Sequence, residues 1–425
     1  MSSRQLEHTT AERRDAFLGA LVGWVFDYYE VFLMSLLVIP IAKDFGLSTG
    51  QVSVVFAIQL LFLGIGGVGF GILADRLGRT RILFWTIVVF GVATLARALA
   101  PNYATLLVLT AVAALGIGGE YGVGQTLVSE VMPARRRGWW GGLLYGGIYL
   151  GIMLGAVVGG YVAPHVGWRV TFALSGIPVL FAVFVRLRSP ESKTWQAARA
   201  DERRVSSGQT VRTIVSRRFL PRFVLCLFAA TLQFFAYYGI ATFLPTYLVD
   251  QGFSMSKATW WLFFTGVAGI VGCVWGSYAN DRFGRRATLS MLTGIAGVAG
   301  IVLAVTWSQL LQSAAILIPF FFFFVGSNGA VTFGVLFSEM FPTEARSTAV
   351  SSALQIARGL TFFPPLLTGF LLPRFGFEPV VYLSAAEFLL LALLAWGFRR
   401  HYDVDLDQPV AARTTLAPDQ VGDPA

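Results

Sequence analysis

Residues 71–79 read GILADRLGR and residues 276–285 read GSYANDRFGR, so one short charged pattern occurs twice in the chain. A second pattern, Glu followed by Pro three residues later and Arg four residues after that, begins at Glu130 and again at Glu339. The first pattern repeats after 206 residues and the second after 209 residues. Two different motifs at nearly one offset indicate that the chain is a duplication of a single structural unit.

The sequence between these motifs is too apolar for a water-soluble protein. Of the 425 residues, 56% are hydrophobic and 13% are charged, whereas soluble domains carry about 25% charged residues. Apolar runs long enough to cross a bilayer as helices lie at about 17–41, 52–73, 82–100, 104–129, 139–163, 168–187, 222–249, 257–279, 287–307, 310–338, 347–371 and 378–398. These runs predict an all-α membrane protein with twelve transmembrane helices, arranged as two six-helix bundles related by the internal repeat.

The distribution of basic residues predicts the orientation. Of the 32 Lys and Arg residues, 26 fall in the two tails and the loops after even-numbered spans, and five fall in the other loops. Because basic loops remain on the cytoplasmic side, we expect a cell-membrane protein with both termini in the cytoplasm. The predicted domains are a cytoplasmic N-tail (1–16), an N-terminal bundle (17–187), a cytoplasmic linker (188–221), a C-terminal bundle (222–398) and a cytoplasmic, disordered tail (399–425).

Several function classes are disfavoured. The net charge of +9 is explained by the loop clusters, so no nucleic-acid partner is expected. Cys226 and Cys273 lie inside apolar runs and the three histidines lie outside them, which gives no basis for a zinc site. No G-x-x-x-x-G-K-[ST] loop occurs, so an ATP-driven pump is disfavoured. We therefore expect no enzyme activity and no cofactor.

Four ionisable residues fall near the middle of predicted spans. Asp27 and Glu30 share one face of span 1, Glu120 lies in span 4 and Arg358 lies in span 11. A charge at that depth costs roughly 3 kcal/mol or more, and such residues usually serve function. Burial disfavours the charged form of a carboxyl, so Asp27, Glu30 and Glu120 are candidates for proton coupling. A static buried salt bridge is the alternative.

Arg358 is the candidate anion site, because guanidinium stays charged and can bind a carboxylate through two parallel hydrogen bonds. Our hypothesis is an exchange in which Arg358 is balanced by Glu120 or Asp27 in the empty carrier. Protonation of that acid then frees Arg358 for a substrate carboxylate. By contrast, Arg97 near the outer end of span 3 is expected to snorkel to the membrane surface. Glu387 in span 12 either packs within the protein or faces a neighbouring subunit.

The set of motifs resembles the major facilitator superfamily over roughly residues 15–400. Within it, residues 23–30 (GWVFDYYE), 116–121 (GIGGEY) and 237–247 look like proton-coupled carboxylate symporters, particularly the sialate and lactate branch. Aromatic-acid symporters usually carry two Asp in helix 1, where this chain has Asp27 and Glu30.

The resemblance implies a network of charged side chains at the cytoplasmic end of helix 2. This network is expected to close the cytoplasmic side in the outward-open state, with helix 11 as its neighbour. Glu130 is expected to pair with Arg137, and Glu339 with Arg346. The full set of candidate gating residues is Asp75, Arg76, Arg79, Glu130, Arg137, Asp281, Arg282, Glu339 and Arg346. Polar residues on the superfamily's cavity-lining helices are further substrate-binding candidates, or else plain interhelical hydrogen bonds. They are Gln125, Gln233, Tyr237, Asn328 and Gln355.

The predicted function is proton-coupled uptake of a small organic anion by alternating access, by a monomeric protein in the lipid bilayer. The anion is a monocarboxylate such as lactate or pyruvate, or sialate, or an aromatic acid. The proton gradient replaces any cofactor as the energy source. A sugar or neutral-solute porter and a drug/proton antiporter are the alternatives, and a non-transporting membrane sensor is the remote one.

Overall fold

The computed structural model describes residues 9–132, 137–188, 191, 193, 196 and 207–398, and the regular structure within this part is entirely helical. The predicted tail at 399–425 lies outside the described residues, as does most of the linker. The first half contains α1 (Thr10–Phe45), α2 (Thr49–Leu77), α3 (Arg79–Arg97), α4 (Tyr103–Val131), α5 (Arg137–Val157) and α6 (Ala163–Arg188), with a π-helical segment at Val158–Val162.

The second half repeats this order. It contains α7 (Leu220–Ala241), α8 (Met255–Phe283), α9 (Arg285–Leu310), α10, α11 and α12 (Glu378–Leu394). Helix α10 comprises Leu317–Gly326, a 3₁₀ segment Ser327–Thr332 and Phe333–Ser338, and α11 comprises Thr343–Leu360 and Phe363–Phe375. Short helices Ser207–Ile214 and Leu244–Asp250 precede and follow α7.

Eleven helical stretches of the described chain are long and apolar enough to cross a membrane. One of them, Leu143–Gly176, has 34 residues, which as a straight helix would be about 50 Å long, well beyond a hydrocarbon core of about 30 Å. Gly167 interrupts it with φ 80° and ψ 160°, which is not a helical conformation. The chain turns there between the fifth and sixth crossings, which agrees with the twelve predicted from the sequence.

The repeat is visible in the turns as well as in the motifs. The α1–α2 turn has Gly46 at φ 63° and the helix cap Ser48, while the α7–α8 turn has Gly252 at φ 86° and the cap Ser254. Each serine accepts a hydrogen bond from the third residue of its helix. These pairs are again 206 residues apart, so the duplication preserved local structure.

The two bundles pack together over one half of their length. We call the side of the membrane where Thr10 and Phe398 lie the terminal side, and the opposite side the far side. In the far half, the rings of Phe56 (α2) and Phe243 are 5.3 Å apart, and a Cβ added at Gly369 (α11) would lie 2.4 Å from Ser53 Cβ (α2). Apolar residues of α1, α2 and α7 share one buried cluster there.

Near the terminal ends of the helices, two further buried clusters are each confined to one bundle. One cluster holds residues of α1–α4 and another holds residues of α7, α9, α10, α11 and α12. A Cβ built on Gly71, near the terminal end of α2, meets no atom within 4 Å. Arg76, Asp281 and Arg282, at the ends of α2 and α8, are exposed. The bundles are therefore in close contact on the far side, whereas the terminal ends of α2 and α8 are exposed.

Candidate transport site

A narrow cavity of about 40 Å³ lies between the bundles at mid-depth. Helices α1 and α5 line it from one bundle, and α7, α10 and α11 line it from the other. The lining residues are Trp24, Tyr28, Tyr145, Ile148, Phe234, Ala330, Phe333, Gly334, Leu354 and Arg358. Ligand pockets usually measure about 300–1,000 Å³, so cargo enters this space only when the bundles or the lining side chains move.

Arg358 provides the positive charge of this cavity. Its side chain is 3% exposed, and its guanidinium lies 5.5 Å from the centre of the Trp24 ring and 6.0 Å from that of Tyr28. Both rings belong to the other bundle. Because a guanidinium stacks on aromatic rings through its flat faces and donates hydrogen bonds in its own plane, this arrangement suits recognition of a planar anion.

The candidate acids are all buried, but they have different neighbours. Asp27 is 1% exposed and precedes the cavity residue Tyr28 on α1. Glu120 on α4 accepts a hydrogen bond from the Thr86 hydroxyl on α3. Glu30 forms an ion pair with Arg97 of α3, and neither side chain has any exposed surface.

Arg97 does not snorkel, so that prediction was wrong. Its guanidinium is fully buried against Glu30 and lies 5.3 Å from the centre of the Phe172 ring on α6. The carboxylate supplies a charge partner inside the bundle, which offsets part of the cost of burying the arginine. The pair holds α1 and α3 together within the N-terminal bundle.

Two predicted substrate-binding residues contact the other bundle instead of the cavity. The Gln355 side-chain amide on α11 donates to the Gly118 carbonyl oxygen of α4 at 3.0 Å. The Asn328 side chain on α10 accepts a hydrogen bond from the Tyr149 hydroxyl of α5.

The other three polar candidates also lie away from the cavity lining. Gln233 donates to the Ser327 carbonyl oxygen at 2.7 Å, inside the C-terminal bundle. Tyr237 packs its ring against neighbouring aromatic rings. Gln125 is half-buried, and its Oε1 has no hydrogen-bond partner within the described part of the chain. Of the six substrate-binding candidates, only Arg358 lines the cavity.

The described ion pairs at the terminal side are not among the predicted ones, and the Glu130–Arg137 pair stays a prediction because the Arg137 side chain is not described. Arg79 pairs with Glu130 at 3.3 Å, and its repeat equivalent Arg285 pairs with Glu339 at 3.2 Å. The expected partner of Glu339, Arg346, instead has two guanidinium nitrogens without a hydrogen-bond partner among the described residues. The side chains of Asp75 and Arg137 lie outside the described residues. Each pair links the start of an odd-numbered helix to the end of the next even-numbered one, within a single bundle.

Glu191 of the linker caps α3. Its carboxylate accepts hydrogen bonds from the backbone N–H groups of Arg79 and Thr80, at 3.0 and 3.2 Å. The preceding residue, Gly78, has no side chain to cap the helix, so the linker supplies the carboxylate that a helix N-terminus favours. Lys193 pairs with Glu12 of α1 at 3.2 Å, which fastens the same stretch to the N-terminal bundle.

Comparison with known proteins identifies the family. The profile of the Major Facilitator Superfamily matches residues 17–363. The chain belongs to this superfamily. The cis,cis-muconate transport protein of Acinetobacter baylyi is 30% identical to it, over 84% of this chain and 87% of that protein. The niacin transporter NiaP of the same organism is 28% identical, over 87% and 90%.

A solved structure supports the fold. The xylose transporter XylE from E. coli, in a partially occluded inward-open conformation, matches with a TM-score of 0.76 at 18% identity, over 91% of this chain and 99% of that one. As a member of the Major Facilitator Superfamily with relatives that carry organic acids, the chain is a multi-pass membrane transporter of small organic molecules and not an enzyme.

Sequence reasoning missed the aromatic lining of the cavity. Trp24 and Tyr28 fall in the segment that carried the resemblance, yet aromatic residues in an apolar span look the same whether they face a cavity, a neighbouring helix or lipid. Their position four residues apart, on either side of a buried acid, was the available signal. Tyr149 and Arg285 were missed because their partners lie in other helices.

Proposed function

We propose that this protein is a proton-coupled carrier that takes up a small planar organic anion, an aromatic or conjugated carboxylate, across the cell membrane. The observation that carries the proposal is the position of Arg358, a buried cation in a cavity between two bundles with the aromatic rings of Trp24 and Tyr28 beside it.

The buried arginine favours an anionic cargo. A guanidinium in the centre of a membrane protein is costly, and a carrier of neutral solutes would need it only to balance one of its own acids. A carboxylate cargo gives it a second use, since the planar fork of arginine matches the two oxygens of a carboxylate.

The walls of the cavity favour a flat cargo. Tyr145, Phe234 and Phe333 add three more aromatic rings to those of Trp24 and Tyr28. Aromatic side chains contact a planar π-system through ring faces and edges, whereas a sugar needs many hydrogen-bonding groups. The relatives named for cis,cis-muconate and niacin transport point the same way, because both compounds are unsaturated carboxylic acids.

Asp27 is the acid that we propose for proton coupling, with Glu120 as the second candidate. Glu30 is already balanced by Arg97, so a proton there would leave a buried positive charge. Asp27 precedes the cavity residue Tyr28, whose ring centre lies 6.0 Å from the Arg358 guanidinium, and protonating Asp27 removes one negative charge from this part of α1. The cargo carboxylate then restores that charge balance, which links proton binding to cargo binding.

The terminal side is proposed to be the cytoplasmic side. Basic residues concentrate there, as expected of cytoplasmic loops. With this orientation the described state opens toward the cytoplasm, and uptake requires a second state in which the far side opens.

Uptake into proteoliposomes tests the proposal. Purified protein is given labelled benzoate, nicotinate, cis,cis-muconate, lactate, sialate or xylose, with and without an inward proton gradient. We expect saturable, gradient-stimulated uptake of at least one unsaturated carboxylate, with lactate and xylose weaker. Arg358→Gln is the matched negative control. Preference for xylose would overturn the anion assignment, and uptake that ignores the gradient would overturn the coupling.

A further inference from the structure

We propose that Tyr149 and Gln355 are positioning residues of the transport cycle. Each makes a hydrogen bond between the bundles beside the cavity, and both bonds must break before the far side opens. The inference concerns the movement of the two bundles, so it holds for any cargo and any coupled ion.

Tyr149 reaches from the N-terminal bundle into the C-terminal one. Its ring lies on Gly269 of α8, where an added Cβ would be 1.9 Å from a ring carbon. Its hydroxyl donates to the Asn328 side chain of α10. A Cβ on Gly272, one turn further along α8, would be 2.5 Å from the Asn328 amide nitrogen. Two glycines of α8 therefore make the space in which this contact forms.

Asn328 transmits this contact to the break in α10. Its amide nitrogen donates to the carbonyl oxygens of Phe324 and Val325, at 2.8 and 3.3 Å. Its own backbone leaves the helical region, with φ −86° and ψ 19°. One side chain thus stabilises the irregular turn and also accepts the bond from Tyr149. The cavity residues Ala330 and Phe333 lie two and five residues after it.

Gln355 makes the corresponding bond on α11. Its amide donates to the Gly118 carbonyl oxygen at 3.0 Å, and a Cβ on Gly67 of α2 would be 2.2 Å from its nitrogen. It lies between the cavity residues Leu354 and Arg358 in sequence. Tyr149 likewise follows the cavity residue Ile148. Side chains that face the cavity and side chains that join the bundles therefore alternate on the same helices.

The described state contains both bonds and, under this proposal, the far-open state lacks them, so losing either one shifts the equilibrium toward the far-open state. A single neutral hydrogen bond changes such an equilibrium by about two- to tenfold. Cargo that displaces the lining residues moves the same helices, so binding of cargo in the cavity changes the contacts between the bundles.

Cysteine accessibility tests this without cargo. In a background with Cys226 and Cys273 replaced by Ala, Ser53→Cys places a thiol at the far-side contact with Gly369, where the native side chain is 3% exposed. A membrane-impermeant maleimide is applied from the far side, with no cargo and no gradient. We expect Tyr149→Phe and Gln355→Leu each to speed labelling by about two- to tenfold.

The matched control is Tyr247→Phe, which removes a tyrosine hydroxyl that accepts from Trp307 at 3.1 Å inside one bundle. Its labelling rate should stay within about twofold of the parent. Unchanged or slower labelling in either test variant would overturn the proposal, as would equal acceleration in the control. In transport assays the two variants should change the maximal rate more than the apparent affinity. A wrong cargo or a missing proton requirement would leave the labelling result intact, so the two proposals fail separately.

Discussion

The two halves of this transporter agree at their ends and differ in the middle. At the ends, Arg79–Glu130 in the first half corresponds to Arg285–Glu339 in the second, and the glycine and serine caps of the first turns correspond as well. At mid-depth, the offset of 206 residues places Gln233 opposite Asp27. The two halves therefore kept the same contacts at the helix ends after the duplication, whereas their residues at mid-depth became different.

The differences at the centre divide the charges between the halves. The 209-residue offset pairs Glu120 with Gly329 and Tyr149 with Arg358. The first half holds the buried acids and the second holds the buried guanidinium that faces the cavity. Under the proposed function, one half handles the proton and the other handles the anion. The following predictions test that division, from the largest expected effect to the smallest.

The Glu30–Arg97 pair is the sharpest difference in packing. The repeat equivalents of these residues are Ala236 and Leu303, which are both fully buried and apolar. Glu30→Ala leaves Arg97 buried without its carboxylate, so we expect a loss of about 3–5 kcal/mol in unfolding free energy. Adding Arg97→Leu copies the second half and should recover most of that loss.

Unfolding in detergent, followed by intrinsic fluorescence against denaturant, measures both variants of this pair. Should the single variant be as stable as the parent, Arg97 would have another partner and the pair would not hold α1 to α3. If the double variant transports cargo without stimulation by the gradient, the Glu30–Arg97 pair takes part in proton coupling. Glu30 would then be a second coupling acid in the first half, beside Asp27.

Arg358→Gln should lower apparent cargo affinity by roughly a hundredfold, because truncating one partner of a buried charge pair costs about 2–5 kcal/mol. Arg358→Lys should recover little, since a point charge lacks the planar fork. The control is Arg374→Gln, at the exposed far end of the same helix. Concentration-dependent uptake supplies the measurement, and normal affinity in Arg358→Gln would place the anion site elsewhere.

Asp27→Asn should lose about tenfold or more of gradient-driven accumulation while keeping exchange of cargo across the membrane. An amide cannot take up the proton, so only the coupled step fails. The repeat equivalent gives the comparison: Gln233→Glu introduces an acid at the matching place in the other half. Counterflow and accumulation assays separate the two functions. Equal coupling in Asp27→Asn and the parent would transfer the role to Glu120.

The sequence predicted the fold because its signals are local. Apolar length, basic loops and two repeated motifs each depend on neighbouring residues, and the twelve crossings and duplicated bundles follow from them. It also predicted that Arg358 and the three acids are buried, because a charge within an apolar span is conspicuous whatever surrounds it, while their roles in transport stay predictions. Partners could not be predicted in the same way. Which carboxylate Arg97 meets depends on how α1 packs against α3, and a residue expected to snorkel proved fully buried.

The smallest effect is expected at the terminal ion pairs, where the two halves correspond but differ in exposure. The side chains of Arg79 and Glu130 are 10% and 17% exposed, against 42% and 44% for Arg285 and Glu339. Exposed pairs contribute about 0–1 kcal/mol, and water screens them. Arg285→Gln should therefore change unfolding free energy by a few tenths of a kcal/mol. Arg79→Gln should cost about 1 kcal/mol or more, since Arg79 also donates to the Ala74 carbonyl oxygen at 3.2 Å.

Denaturant unfolding of both variants measures this difference. Equal losses of unfolding free energy would mean that the difference in exposure does not change what the two ion pairs contribute to stability. The two halves would then be equivalent at these sites in energy as well as in sequence.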